Sequence, residues 1–119
     1  MEQLKKIVIT KNTTIRHALK QMDATGKKIL VVADKRNAVL GVITDGNIRR
    51  WIIKGGDLTE SVSKIMSKSP VTLKEGYSQE QAKRLMLDKG IDCIPIVNKA
   101  GALVSAIWWS DLFEKKKQG

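Results

Sequence analysis

Residues 29–50 read ILVVADKRNAVLGVITDGNIRR, and this stretch decides how the first half of the chain folds. Ile29 to Ala33 and Val39 to Thr44 are apolar runs of strand length, which is typical of strands buried on both faces. The polar residues 34–37 between them form a turn, so the two strands are predicted to pair antiparallel. Asp45-Gly46-Asn47 then opens a helix that carries apolar side chains on one face.

A short strand and a helix are predicted upstream of this hairpin. The β-branched residues 7–10 indicate the strand. Thr14 caps the helix through its side-chain oxygen, and Gly26 suits the left-handed position after the last turn. Between these two caps the apolar residues recur at helical spacing; they are Ile15, Ala18, Leu19 and Met22. The first half therefore has the order β-α-β-β-α.

The second half repeats the first without a gap when the sequence is shifted by 64 residues. The identical pairs are Ala18 and Ala82, Met22 and Met86, Gly26 and Gly90, Lys35 and Lys99, Ala38 and Ala102, and Ile43 and Ile107. The predicted elements also recur: a strand at 71–73, a helix from Ser78 to Gly90, hairpin strands at 94–97 and 103–108, and a last helix opened by Ser110-Asp111.

The fold class predicted is therefore mixed α/β, or α+β, with two tandem β-α-β-β-α repeats. We assign residues 1–56 to the first repeat and 70–119 to the second. Residues 57–69 form a linker with a short helix. Neither repeat is long enough to bury much core alone, so we expect one compact module packed by pseudo-twofold symmetry.

The net charge of +10 comes from 22 Lys and Arg against 12 Asp and Glu. These residues are scattered along the chain, which leaves two interpretations: a solvated basic surface, or attraction for a nucleotide or phosphate. Non-specific nucleic-acid binding is a third hypothesis that rests on charge alone. Because no RNP, zinc-finger or helix-turn-helix signature occurs, nucleic acid is not the expected partner.

Other sequence features exclude several classes of protein. The longest apolar runs are too short to cross a bilayer, and no secretory h-region follows the N-terminus, so we expect a cytoplasmic protein without membrane contact. Cys93 is the only cysteine and cannot form an internal disulfide. No metal cluster, acid–base pair or phosphate loop is evident, so we expect no catalytic residues, no metal and no enzyme activity in this chain.

Three segments resemble the CBS family: residues 40–50, residues 66–72 and residues 90–97. The form of the first segment is most similar to the N-terminal CBS pair of bacterial sugar-phosphate nucleotidyltransferases, and arabinose-5-phosphate isomerases carry a similar pair. The resemblance implies a regulatory module (Bateman module) with a covalently attached C-terminal catalytic domain. It also implies a homodimer formed through CBS helices, for which Trp51, Ile52 and Phe113 are the candidate contacts.

The resemblance further implies a small-molecule nucleotide in the cleft between the repeats, with no required cofactor. AMP, ADP, ATP or a nucleotide sugar is the expected ligand. The implied nucleotide-binding residues are Lys28, Ile29, Thr44, Asp45, Asn47, Arg49, Val71, Asp92, Cys93, Pro95 and Asp111. The Thr44 hydroxyl would donate to a phosphate, and basic side chains would add charge-assisted contacts.

Two departures from the family pattern support an alternative function. Asn47 stands where the family usually has the Asp that accepts from both ribose hydroxyls. In the second repeat, Asp111 keeps the acidic position, but Trp108 replaces the Thr and Ser105 replaces the Gly. Trp108 either fills the pocket or stacks on a base. The alternative is a degenerate CBS pair that acts mainly in dimerisation.

Overall fold

Two three-stranded sheets, one in each half of the chain, organise the structure. It is a computed structural model that describes residues 2–114, with side chains for residues 4–113. The chain divides into two compact units, and the boundary falls between Pro70 and Val71. The predicted mixed fold of two β-α-β-β-α repeats is confirmed.

The first unit places helices before and after each part of its sheet. Its elements are α1 (Glu2–Lys5), β1 (Val8–Ile9), α2 (Ile15–Thr25), β2 (Ile29–Ala33), β3 (Val39–Thr44), α3 (Asp45–Ile53) and a 3-10 helix (Val62–Lys64). The strand order is β1-β2-β3, in which β1 lies parallel to β2 and β3 lies antiparallel to it. The hairpin therefore begins and ends where the sequence predicted.

The second unit has the same topology. Its elements are β4 (Leu73–Lys74), α4 (Gln79–Lys89), β5 (Cys93–Val97), β6 (Leu103–Trp108) and α5 (Asp111–Glu114). Leu30 lies opposite Ile43 in the first sheet, and Ile94 lies opposite Ile107 in the second, so the shift of 64 residues is kept in the strand register. Both hairpins also carry a register irregularity at the equivalent place.

The edge strands differ from the sequence expectation. The strand expected at residues 7–10 is Val8–Ile9, and the one expected at 71–73 is Leu73–Lys74. Each edge strand is regular only where it pairs with the parallel neighbour: Leu73 lies opposite Ile96, and the Glu75 N–H extends the pairing to the Val97 carbonyl at 3.0 Å. An apolar run alone does not reveal where such pairing stops.

The two long helices begin and end through equivalent caps. The Thr14 hydroxyl accepts the His17 N–H at 3.1 Å, and the Ser78 hydroxyl accepts the Gln81 N–H at 3.0 Å. Gly26 follows α2 with φ of 72°, and its N–H donates to the Met22 carbonyl. A side chain other than glycine pays a steric penalty in this left-handed conformation, so the predicted C-terminal glycine cap is explained.

The segment 57–69 packs within the first unit rather than running free over its surface. Its carbonyls at Leu58 and Glu60 accept the N–H groups of Arg16 and Ile15, which open α2 and lack partners inside the helix. Val62 is fully buried. Ser67 pairs with Val42 of β3 through two backbone hydrogen bonds of 3.1 and 2.8 Å.

Gly41 allows this segment to cross β3. A Cβ atom on residue 41 would lie 2.4 Å from the Ser67 carbonyl oxygen and 3.2 Å from the Met66 sulfur. The equivalent residue in the second repeat is Ser105, which is exposed. The Gly-to-Ser difference between the repeats therefore has a steric cause, since the backbone of 66–67 occupies the space beside β3.

Asp57 fixes the turn that leads into this segment. Its Oδ1 accepts the Thr59 N–H at 2.9 Å and the Thr59 hydroxyl at 2.8 Å. The Thr59 N–H, followed by the Thr59 hydroxyl, lowers the pKa of Asp57 from its ordinary value of 3.8. The Trp51 indole N–H donates to the Asp57 carbonyl at 2.9 Å, which holds α3 against the same turn.

We expect Asp57→Asn to lower the thermal unfolding midpoint at neutral pH, because a charged acceptor makes the stronger hydrogen bonds. A carboxyl with a lowered folded-state pKa contributes stability that is present above 3.8 and lost as the pH falls through the lowered value. Unfolding of both chains at neutral pH and well below 3.8 should therefore show a difference that disappears in acid. Asp23→Asn is the control, and an equal Asp57→Asn effect at both pH values would contradict the prediction.

Candidate functional site

The end of the first hairpin brings five of the predicted site residues together. Ile29 lies opposite Thr44 at the open end of β2 and β3, and the Asp45 N–H donates to the Lys28 carbonyl at 3.1 Å. Asn47 follows in the first turn of α3. We call Lys28, Ile29, Thr44, Asp45 and Asn47 the first half-site.

Thr44 and Asn47 form a capping box at the start of α3. Asn47 Oδ1 accepts the Thr44 N–H at 2.8 Å and the Thr44 hydroxyl at 3.0 Å. In return, the Thr44 oxygen accepts the Asn47 N–H at 3.2 Å. The hydroxyl expected to donate to a phosphate therefore already donates to Asn47, and a ligand that uses it has to replace this bond.

Two arginine side chains lie over the first turn of α3. Arg49 forms an exposed ion pair with Asp45, with 3.3 Å between Arg49 Nη1 and Asp45 Oδ2. A Cβ atom on Gly46 would lie 3.3 Å from a guanidinium nitrogen of Arg50 and 3.6 Å from one of Arg49. Both guanidinium groups thus reach the same point, beside the Asp45 carboxylate that pairs with Arg49.

The end of the second hairpin repeats this geometry. Cys93 lies opposite Trp108, the Trp109 N–H donates to the Asp92 carbonyl at 2.7 Å, and Asp111 Oδ2 accepts the Trp108 N–H at 2.8 Å. Each contact is the counterpart, 64 residues later, of one in the first half-site. We call Asp92, Cys93, Trp108 and Asp111 the second half-site.

The second cap lacks its reciprocal hydrogen bond. Trp108 has no hydroxyl to accept from the Asp111 N–H. Consequently α5 begins at Asp111 and a turn precedes it, whereas α3 begins directly after Thr44. Asp111 uses one carboxylate oxygen for the Trp108 N–H, and its Oδ1 retains the capacity to accept a hydrogen bond from a ligand.

Side chains outside these caps differ strongly between the two half-sites. Asp45 and Arg49, an ion pair, are replaced 64 residues later by Trp109 and Phe113, whose rings meet edge to face with centroids 5.0 Å apart. The ammonium group of Lys83 lies 5.5 Å from the Phe113 ring centroid. This aromatic pair was not predicted from the sequence, although the spacing of four residues on a helix could have indicated it.

Two other predicted site residues lie deeper in the second unit. Pro95 is fully buried on β5, opposite Ala106 and two residues beyond Cys93. Val71 is partly buried and packs on the core of this unit. Cys93 is itself buried, as expected for a core cysteine. The Thr-x-x-Asn pattern of a capping box was the sequence signal for the role of Asn47 that had not been used.

The candidate dimer contacts are engaged to different degrees within their own units. Trp51 is partly buried, donates to Asp57, and lies where a Cβ on Gly56 would come within 2.1 Å of its ring. Phe113 packs on Trp109. Ile52 is 48% exposed and Ile53 is 76% exposed, so the apolar surface of α3 lies at its end.

Metal ligands and membrane spans have their own structural requirements. Over the residues that the structure describes, no group of three or more His, Cys, Asp or Glu side chains is placed to hold a metal ion. Within the same residues, no helix combines the length and apolar character that a membrane span requires.

We expect Asn47→Ala to lower the free energy of unfolding by about 1 kcal/mol, because both the Thr44 N–H and its hydroxyl lose their acceptor. Urea denaturation followed by circular dichroism measures this loss. Asn12→Ala, at an exposed position before α2, is the control and should change stability by less than about 0.5 kcal/mol. Equal effects of the two substitutions would show that the cap contributes no stability.

The duplicated hairpin, with a polar cap at the end of each second strand, defines a tandem-repeat protein of the CBS type. The CBS domain family matches residues 4–54 and 62–113. The chain therefore belongs to the CBS domain family and carries two copies of the domain.

Known relatives and solved structures resemble the chain over most of its length. It is 34% identical over 102 residues to arabinose 5-phosphate isomerase GutQ of Salmonella typhi, a match that covers 86% of this chain and 32% of the isomerase. The chain thus spans about a third of the length of the curated relatives it matches. The GutQ relatives are isomerases, and the finer resemblance to nucleotidyltransferases stays a prediction.

Two solved structures share the fold. One is the CBS domain protein PAE2072 from Pyrobaculum aerophilum complexed with AMP, with a TM-score of 0.81, 21% identity and coverage of 88% of this chain and 81% of that one. The other is the CBS domain pair of protein MJ0100 in complex with 5-methylthioadenosine and S-adenosyl-L-methionine, with a TM-score of 0.81, 19% identity and coverage of 94% and 88%.

Proposed function

We propose that this chain is a regulatory module that binds an adenosine nucleotide or a nucleotide sugar and controls an enzyme attached to it. Membership of the CBS family supports the regulatory role. The AMP and S-adenosylmethionine complexes of the similar structures support an adenosine-type ligand. The attached enzyme would act on a sugar phosphate: an isomerase like the GutQ relatives, or the nucleotidyltransferase that the sequence resemblance suggested.

One observation carries the proposal: each hairpin ends in the same polar cap. The side-chain oxygens of Asn47 and Asp111 accept the N–H of the residue three positions earlier, at 2.8 Å in both repeats. Preserving such a cap in both repeats keeps backbone groups and a polar side chain at one end of each hairpin. Asp111 is the best ribose acceptor of this set, because it is charged and its Oδ1 takes no part in the cap.

Control of an attached enzyme requires that the ligand bind one arrangement of the whole protein better than another. A change of activity by tenfold corresponds to about 1.4 kcal/mol of differential affinity. The half-sites can supply this amount, since one hydrogen bond to a charged group contributes about 1.5–3 kcal/mol. No catalytic group is needed in the module for this mechanism.

A thermal-shift series with AMP, ATP, S-adenosylmethionine and GDP-mannose tests the proposal. A ligand that binds the folded chain raises the unfolding midpoint, and the rise grows with ligand concentration. We expect such a rise for at least one of these compounds and none for ribose 5-phosphate, which lacks a base. Unchanged midpoints with the whole series would overturn the proposal.

A second candidate function is dimerisation by a pair whose half-sites no longer bind a ligand. The internal bonds of Thr44 and Asn47 favour it, as does Trp108 at the threonine position. Ile52 and Ile53 supply exposed apolar surface for a two-fold contact. A dimer measured by light scattering that Ile52→Lys converts to a monomer, together with no ligand response, would select this function.

A further inference from the structure

The two half-sites carry opposite charge at equivalent positions. In the first, Lys28 and Arg49 are exposed cations. Their counterparts 64 residues later are Asp92, which is anionic, and Phe113, which is neutral. Asn47 is neutral where Asp111 bears a carboxylate. The backbone geometry is shared, but the side chains have reversed the sign of the local field.

The first half-site concentrates positive charge beyond what its own carboxylate balances. The guanidinium groups of Arg49 and Arg50 both lie within 3.6 Å of the position that a Gly46 Cβ would take. The Asp45 carboxylate forms its ion pair with Arg49, at 3.3 Å. Guanidinium groups held this close repel each other, and an anion that accepts from both removes the repulsion.

The second half-site has the opposite preference. Asp92 and Asp111 are both on the hairpin end, and the Trp108 side chain stands where the first repeat has the Thr44 hydroxyl. A phosphate placed there would meet two carboxylates and an indole that carries no hydroxyl. A sugar hydroxyl, by contrast, can donate to Asp111 Oδ1.

From this reversal we propose that the two repeats divide the ligand: the first half-site binds the phosphate groups, and the second excludes phosphate and binds hydroxyls of the sugar. Arg49, Arg50 and Lys28 are the phosphate-binding side chains, and Asp111 is the hydroxyl acceptor. The division rests on the proposed function, because it assigns the parts of the proposed nucleotide. It goes further by fixing which repeat contacts which chemical group.

Amide-resolved NMR titrations of the 119-residue chain test the division directly. Inorganic pyrophosphate should shift the signals of Lys28, Asp45 and Gly46 and leave those of Asp92 and Asp111 in place. Adenosine, which has ribose hydroxyls and no phosphate, should shift the signals around Asp111 instead. Pyrophosphate shifts that centre on the second half-site would overturn the proposal.

Matched variants separate a specific site from general attraction to a basic protein. The double variant Arg49→Gln, Arg50→Gln should weaken pyrophosphate binding by about tenfold or more, because it removes charge-assisted hydrogen bonds. Lys20→Gln with Arg84→Gln removes the same charge from α2 and α4, away from both hairpin ends, and should change the affinity by less than about twofold. Equal losses in the two double variants would overturn the proposal.

Lys28→Asp gives the first half-site the charge that the second half-site carries and is a second, independent variant. It should weaken pyrophosphate binding and leave the adenosine shifts unchanged. AMP binding that survives both Lys28→Asp and the arginine double variant would overturn the division while the proposed function stands. Pyrophosphate binding at the first half-site, with no nucleotide or adenosine bound by the chain, would uphold the phosphate assignment and end the proposed function.

Discussion

Gly41→Ala should lower the free energy of unfolding by about 3 kcal/mol, at the upper end of what overpacking usually costs. The added Cβ would lie 2.4 Å from the Ser67 carbonyl oxygen. That oxygen accepts the Val42 N–H at 3.1 Å, so the segment cannot retreat without losing its pairing with β3. Met66, 3.2 Å from the new atom, closes the other direction.

Ser105→Ala is the matched control for this glycine. Ser105 occupies the equivalent position in the second repeat, where the side chain is exposed, so the substitution should change stability by less than about 0.5 kcal/mol. Guanidinium denaturation of both variants and the original chain gives the comparison. A Gly41→Ala midpoint equal to that of Ser105→Ala would mean that residues 66–67 do not lie against β3.

Leu30→Ala should cost about 2–5 kcal/mol, the range for truncating a large side chain in a packed core. Leu30 is 0% exposed on β2, and its partner across the hairpin, Ile43, is equally buried. Truncating the side chain there leaves a cavity that the strands on either side cannot close. This is the largest of the predicted stability changes.

The same substitution at Leu19 provides the control. Leu19 lies on α2 but is 37% exposed, and alanine is the better helix former, so Leu19→Ala should cost less than about 1 kcal/mol. Thermal and chemical unfolding of the two variants should differ accordingly. Similar losses at both positions would contradict the burial of the first hairpin.

Much of the fold could be predicted because its signals are local. The apolar runs of the first hairpin, and the Thr14 and Gly26 caps of α2, each mark an element boundary within a few residues. The repeat then transferred these boundaries to the second half, since equivalent residues meet equivalent neighbours. This is why the strands Val39–Thr44 and Leu103–Trp108 were predicted at their observed bounds.

The remainder depends on contacts that are distant in sequence. The edge strands are defined by their pairing with β2 and β5, and the sequence of 71–73 does not reveal that pairing begins at Leu73. The folding of residues 57–69 onto α2 and β3 likewise follows from backbone hydrogen bonds to Ile15 and Val42, which almost any residue type can make. Such bonds leave little trace in side-chain chemistry.

The candidate site was predictable in composition but not in its internal bonding. Thr44 and Asn47 were both predicted as site residues, and the structure shows that they bind each other. The reversal of charge between Lys28 and Asp92 was visible in the sequence, yet it acquires a meaning only once both residues are placed at equivalent hairpin ends. Geometry therefore converts a set of differences into a hypothesis about the ligand.

Calorimetric titration of AMP into the chain and into Asp111→Asn tests the central claim most directly. Asparagine still accepts the Trp108 N–H but removes the charged oxygen, so we expect an affinity about tenfold lower. Asp88→Asn, the same change at an exposed position on α4, should bind AMP like the original chain. AMP that binds Asp111→Asn as tightly as the original chain, or that binds neither, would contradict the account.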